Sequence, residues 1–189
     1  MSETTGVTAR DIDRALTDKD LRGMRIMHFA LVGGLTMFLL VAVVLYLTTE
    51  NVVSKTLDGN ELLMMSGAHA FVALTCFALS FILPALMLKP STIEKMMQQR
   101  AANGVPALEP AALYVSAIRG AWVLRLTLQE GPAVFGLIIC VMAVNSGAMA
   151  EQPLYSLNGL TTMLFLAGAI MAIPSRERAL NMFAAQRSR

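Results

Sequence analysis

Four long apolar stretches alternate with polar, charge-bearing segments along this chain. They run roughly from Ile26 to Leu47, Leu62 to Leu88, Ala121 to Val144 and Leu154 to Pro174. Each is free or nearly free of Lys, Arg, Asp and Glu and covers about the 20 residues that a helix needs to cross the hydrocarbon of a bilayer. A spanning strand needs only about 10 residues and alternates apolar with polar side chains, which these stretches do not. The pattern predicts an all-α, polytopic membrane protein with four transmembrane helices. Its expected layout is a cytoplasmic N-terminal segment (1–25), a first transmembrane hairpin (26–88), a cytoplasmic loop with a short helix (89–119), a second hairpin (120–174) and a cytoplasmic basic amphipathic tail (175–189). The first stretch follows a polar segment and precedes no small-residue cleavage pattern, so it is expected to persist in the mature protein.

Composition agrees with a lipid environment. Hydrophobic residues make up 56% of the chain and mean hydropathy is +0.60, too apolar for a soluble domain of this size, whose surface needs more charge. The charges also orient the helices, because Lys and Arg in short loops stay in the cytoplasm. Arg10, Arg14, Lys19, Arg22 and Arg25 precede the first span. Lys89, Lys95, Arg100 and Arg119 lie between the second and third, and Arg176, Arg178, Arg187 and Arg189 follow the fourth. The intervening links hold Lys55 and no other basic residue. Both termini are therefore expected inside, in a cell inner (plasma) membrane.

Local signals place the shorter elements. Thr17 with Asp20, and Ser91 with Glu94, read as capping boxes. Asn103-Gly104 should stop the short loop helix, and Pro110 is suited to open the next one. Trp122 falls where an interfacial aromatic belongs. In the tail, Leu180 and Phe183 among arginines predict a short helix lying on the inner leaflet.

The chain also resembles itself. Laying the first span on the third pairs Arg22-Gly23 with Arg119-Gly120, Gly34 with Gly131, and Phe38 with Phe135. The second and fourth spans pair Phe81 with Phe165 and Pro90-Ser91 with Pro174-Ser175. A tandem-repeated helical hairpin accounts for these matches, with the halves related by an axis along the membrane normal.

Glu130 is the one residue whose chemistry stands out. Near the middle of the third span, an isolated ionised carboxylate costs at least a few kcal/mol, about 3 on insertion scales. It should be protonated, paired, or turned to a wet cavity. Gly131 and Pro132 follow, and Pro132 cannot donate to the Leu128 carbonyl, which predicts a kink with a free acceptor beside the acid. Repeat pairing sets Gly33 and Gly34 opposite this point as candidate surroundings that leave room for a side chain. Arg125 is misaligned with Glu130 on an ideal helix, has Gln129 as its better neighbour, and should snorkel to the interface. Thr36, Thr75, Asn158 and Thr161 are possible donors between helices with no specific pattern; His69 reads as a packed polar residue and not a switch, and a direct relay from it to Glu130 is not expected. Cys76, Cys140 and the methionines read as apolar filling. No catalytic, cofactor or metal site is expected, since neither ligand spacing nor a nucleophile with a base is visible.

Two resemblances attach to the segment Leu128-Gln129-Glu130-Gly131-Pro132-Ala133-Val134-Phe135-Gly136-Leu137. It is similar to the carboxylate helix of ATP synthase proteolipid (c) subunits, a likeness confined to this helix. With Pro174-Ser175-Arg176-Glu177-Arg178 it also resembles an uncharacterised family of small four-helix bacterial membrane proteins, from which Gln129 and Pro132 depart. That second likeness implies a fold and no activity. The sequence reading of function is a non-enzymatic membrane component, acting as a homo-oligomer or an accessory subunit through contacts in the lipid bilayer, with no nucleic-acid partner. The alternative is a small proton or cation transporter or channel using Glu130, its substrate ion unspecified.

Overall fold

The computed structural model describes residues 6–49, 59–106 and 108–187; the link 50–58, with Lys55, and Arg189, both used in the charge comparison, lie outside them. Among the described residues the fold is helical, without strands: α1 (Ala9–Ala15), α2 (Asp18–Thr48), α3 (Gly59–Met87), α4 (Pro90–Ala102), α5 (Pro110–Asn145), the short α6 (Ala148–Glu151), a 3₁₀ segment (Pro153–Gly159), α7 (Leu160–Met171) and α8 (Arg176–Arg187). Four of these are long and apolar enough to cross a membrane: α2, Asn60–Met87 of α3, α5, and Pro153–Met171, which joins the 3₁₀ segment to α7. By length and composition the chain is a multi-pass membrane protein. In α2 and α3 only 11% and 17% of the most apolar window is buried, against 39% in α5 and 33% in Pro153–Met171, so the last two spans are the more packed and α2 and α3 present most of their apolar surface outward.

The chain divides into two compact units. One gathers the segment ending at His28, Ser80–Arg125 and the segment from Ile173 on; the other gathers Phe29–Leu79 and Leu126–Ala172.

In the first unit, polar signals set the helix ends. Thr17 and Asp20 exchange reciprocal bonds, Thr17 N–H to the Asp20 carboxylate (3.1 Å) and Asp20 N–H to Thr17 Oγ1 (3.2 Å), the expected capping box. A second box joins Thr8 to Asp11 at the start of α1, and the Thr8 hydrogen bonds hold the Asp11 carboxyl below its usual pKa. The Ser91–Glu94 box does not form. Pro90 is already the first residue of α4, so the cap position falls to Lys89, which makes no side-chain cap bond. Asn103 caps α4 and Gly104 takes a left-handed φ of 66°, a conformation glycine adopts without a Cβ penalty. α5 opens at Pro110.

The core of this unit includes Ile12, Ile93, Ile118 and Ala121, each fully buried. Two expectations are corrected here. Trp122 is 8% exposed, a core residue of α5 and not an interfacial anchor, because the start of α5 packs within the protein. The tail forms the expected helix, α8, but its apolar face is covered by protein: Phe183 is buried and meets Tyr114 edge-on at 5.1 Å.

Arg176 ties α8 to α1. Its guanidinium donates to the backbone carbonyls of Asp13 (2.8 Å) and Leu16 (3.0 Å) and to the Asp13 carboxylate (2.9 Å). The hydrogen bond to Asp13, then its charge, raises the Arg176 pKa above its already high value. The fork satisfies carbonyls that the end of α1 leaves open. Replacing Arg176 by Ala is expected to speed tryptic cleavage at Arg14 and Lys19 in folded protein, with Arg176→Lys restoring protection only in part because an ammonium lacks the fork. Timed proteolysis with mass spectrometry checks this.

Candidate functional site

In the second unit, the carbonyl end of a polar network rises from α5. Pro132 lies inside α5, which remains one helix from Pro110 to Asn145. Beside this proline the backbone supplies acceptors to neighbouring helices. The Pro132 carbonyl faces His69 Nε2 of α3 at 3.0 Å and accepts from Thr161 Oγ1 of α7 at 3.3 Å; the Ala133 carbonyl accepts from Thr162 Oγ1 at 2.9 Å.

Asn158, in the 3₁₀ segment, closes the network. Its Oδ1 lies 2.9 Å from His69 Nδ1, and its Nδ2 donates to Ser66 Oγ and to the Tyr155 carbonyl, both at 3.0 Å. His69 and Asn158 are 3% and 6% exposed, so water contributes little and the protein groups must satisfy one another. Phe135 meets the His69 ring edge-on at 5.6 Å. Leu62, Ile139, Ala143 and Tyr155 form an apolar cluster in the same unit.

Gly136 makes this proximity possible. A Cβ at this position would lie 2.0 Å from the Asn158 carbonyl oxygen and 2.9 Å from both His69 Nε2 and Thr161 Oγ1. The 3₁₀ segment approaches α5 through a gap that only glycine leaves, the close approach that small residues allow between membrane helices.

Glu130 stands apart. It is half-buried on α5 and, among the described residues, has no hydrogen-bond or ion-pair partner. Gly33 and Gly34 are exposed, and no described atom lies within 4 Å of the Cβ position at either, nor at Gly131; the glycines leave open space and close no pocket. Gln129 is buried. Arg125 sits over the Phe81 ring, 4.7 Å from its centroid, a cation–π contact. Thr36 bonds back to Val32 on its own helix and is no donor between helices. A groove of about 490 Å³, lined by Leu39, Tyr46, Leu137, Cys140, Ser156 and Gly159 among others, opens beside α5; Glu130 is not among its lining residues. Among the described residues no three His, Cys, Asp or Glu side chains could jointly hold a metal ion.

Sequence reasoning had His69 as a packed polar residue and Asn158 and Thr161 only as unspecific donors, and missed the parts of Ser66 and Gly136. The usable signal was energetic: a His and an Asn buried in apolar spans are costly alone and are expected to find each other. Comparison with protein families, with curated proteins and with solved structures finds no match for this chain.

Proposed function

We propose that this protein is a non-enzymatic integral membrane component that works through helix contacts within the bilayer, as a homo-oligomer or as an accessory subunit. The observation that carries this reading is Glu130, half-buried in a transmembrane helix with no described partner. An ionised carboxylate there costs about 3 kcal/mol, and a protonated one still offers a donor and an acceptor, so a second chain that supplies a polar group gains from covering it. The outward apolar surfaces of α2 and α3 and the open glycines Gly33, Gly34 and Gly131 leave room for close helix approach.

In this reading the termini and the 89–119 segment are cytoplasmic in an inner (plasma) membrane, following the basic residues, and the two hairpins descend from a tandem duplication. The open Cβ positions at the matched pair Gly34 and Gly131 agree with the duplication.

A second reading, proton or cation translocation using Glu130, is favoured by the same missing partner together with Pro132, which removes the donor to the Leu128 carbonyl one turn earlier. Carbodiimide labelling separates the two, with Glu130→Gln as the control. A component should show Glu130 shielded in native-like membranes and labelled once detergent has dispersed the assembly. Labelling in intact membranes that fades as pH rises would overturn that reading in favour of ion handling.

A further inference from the structure

We infer that Arg25 and Arg178 form a binding site for the headgroup phosphate of an anionic phospholipid, at the end of the fourth span. This site is independent of the role given to Glu130.

The backbone prepares it. α7 stops at Met171 and α8 begins at Arg176, because Pro174 has no N–H for a helical ladder and disfavours helical geometry at Ile173 before it. In the link between them, two consecutive carbonyls each take up a guanidinium. Arg25 donates from Nε to the Pro174 carbonyl at 3.1 Å, and Arg178 donates from Nη1 to the Ile173 carbonyl. Adjacent residues lie about 3.8 Å apart at Cα, so the two cations are within reach of one phosphate. All four residues belong to the first compact unit.

Charge then calls for an anion. Among the described residues neither guanidinium pairs with a carboxylate; the ion pairs at this end of the protein belong to Arg176, with Asp13 and Asp18. Glu177, exposed in the first turn of α8, joins neither. Two like charges held on neighbouring carbonyls repel each other, and a carbonyl offers only a partial charge against that repulsion. Each bond also fixes its guanidinium while leaving donors free, since arginine carries five N–H groups. Arg25 keeps both terminal nitrogens, and Arg178 keeps Nε and Nη2. Planar forks already held in place match phosphate oxygens and lose little further freedom on binding.

Position makes that anion a lipid. Arg25 is the last charged residue before the first span, and Ile26 after it is 63% exposed; Ile173 is 37% exposed. Apolar surface flanking paired cations suits a headgroup with its acyl chains, whereas a free phosphate gains nothing from isoleucine. A zwitterionic headgroup brings a cation of its own, which the arginines repel. The site should therefore prefer phosphatidylglycerol to phosphatidylcholine.

Native mass spectrometry tests this on the full chain, released from detergent micelles that contain equal amounts of the two lipids. Wild type is expected to retain phosphatidylglycerol preferentially. Arg25→Gln/Arg178→Gln should lose about 10- to 30-fold of that preference, the worth of two basic contacts. Lys95→Gln, which removes an exposed charge from α4, should keep it. Because the arginines also hold the backbone, a second measurement uses the wild-type protein alone. A phosphatidylglycerol with a photoreactive group beside its phosphate should cross-link to the peptides bearing Ile26 and Ile173, and unlabelled phosphatidylglycerol, but not inorganic phosphate, should prevent this. Equal retention of both lipids by wild type, a loss in Lys95→Gln as large as in the double variant, cross-links spread over the other basic segments, or displacement by inorganic phosphate would each overturn the proposal.

Discussion

Replacing Gly136 with alanine is expected to destabilise the protein by about 1–3 kcal/mol, the usual range for forcing a methyl group into a filled interior. The upper end applies because of what the methyl meets. The Asn158 oxygen, 2.0 Å from the Cβ position, belongs to the backbone of the 3₁₀ segment and cannot rotate away. It can move only with the segment, and that motion pulls Asn158 from His69 and Thr161 from Pro132. Two smaller terms oppose this: alanine gains up to about 1 kcal/mol of helix propensity over glycine, and added dispersion contact is slight. The same substitution at Gly33, where nothing lies within 4 Å, should be neutral or stabilising for the monomer. Reversible unfolding in mixed micelles compares the two variants. Equal stability of Gly136→Ala and wild type would mean that the 3₁₀ segment does not approach α5 as described.

The contrast between these glycines shows where sequence reasoning ends. Spans were legible because crossing a bilayer is a demand on local length and apolarity: α2 and α5 contain the stretches expected of them, and α3 contains all of its own but Leu88. Caps at Thr17, Asn103 and Pro110 were legible because they depend on neighbours within a turn. The Ser91–Glu94 box failed on the same local scale, since Pro90 competed for the start of α4 and won. Gly136 looked like any glycine in an apolar helix, and Gly33 and Gly34 looked more important. Which glycine is crowded depends on a partner 22 residues downstream, Asn158, and no pattern along α5 encodes it. Likewise the fourth span was expected as one helix. Its first turns are 3₁₀, and Asn158 of this segment meets His69 together with Thr161 of α7.

Asn158→Leu should be the second costly change, although leucine suits an apolar span better than asparagine does. Gains first: leucine removes the expense of placing an amide in hydrocarbon, and Leu154 and Leu157 nearby are already exposed without penalty. Against this, the variant deletes bonds to His69 and Ser66, each worth about 0.6 kcal/mol on average between membrane helices and at most about 1.7. It also strands the His69 Nδ1 donor in a site 3% exposed, and an unsatisfied buried polar group costs about 1–3 kcal/mol. The stranded donor decides the sign, for a net loss of about 2 kcal/mol. His69→Leu should rescue it in part, because removing both partners leaves no orphan, and a double-mutant cycle is expected to return a coupling of about 1 kcal/mol. Thr36→Val, which breaks only a bond within its own helix, should stay within about 0.5 kcal/mol of wild type. If Asn158→Leu proves as stable as Thr36→Val, or if the cycle returns no coupling, His69 and Asn158 do not share a hydrogen bond, and the polar centre of this unit must be sought elsewhere.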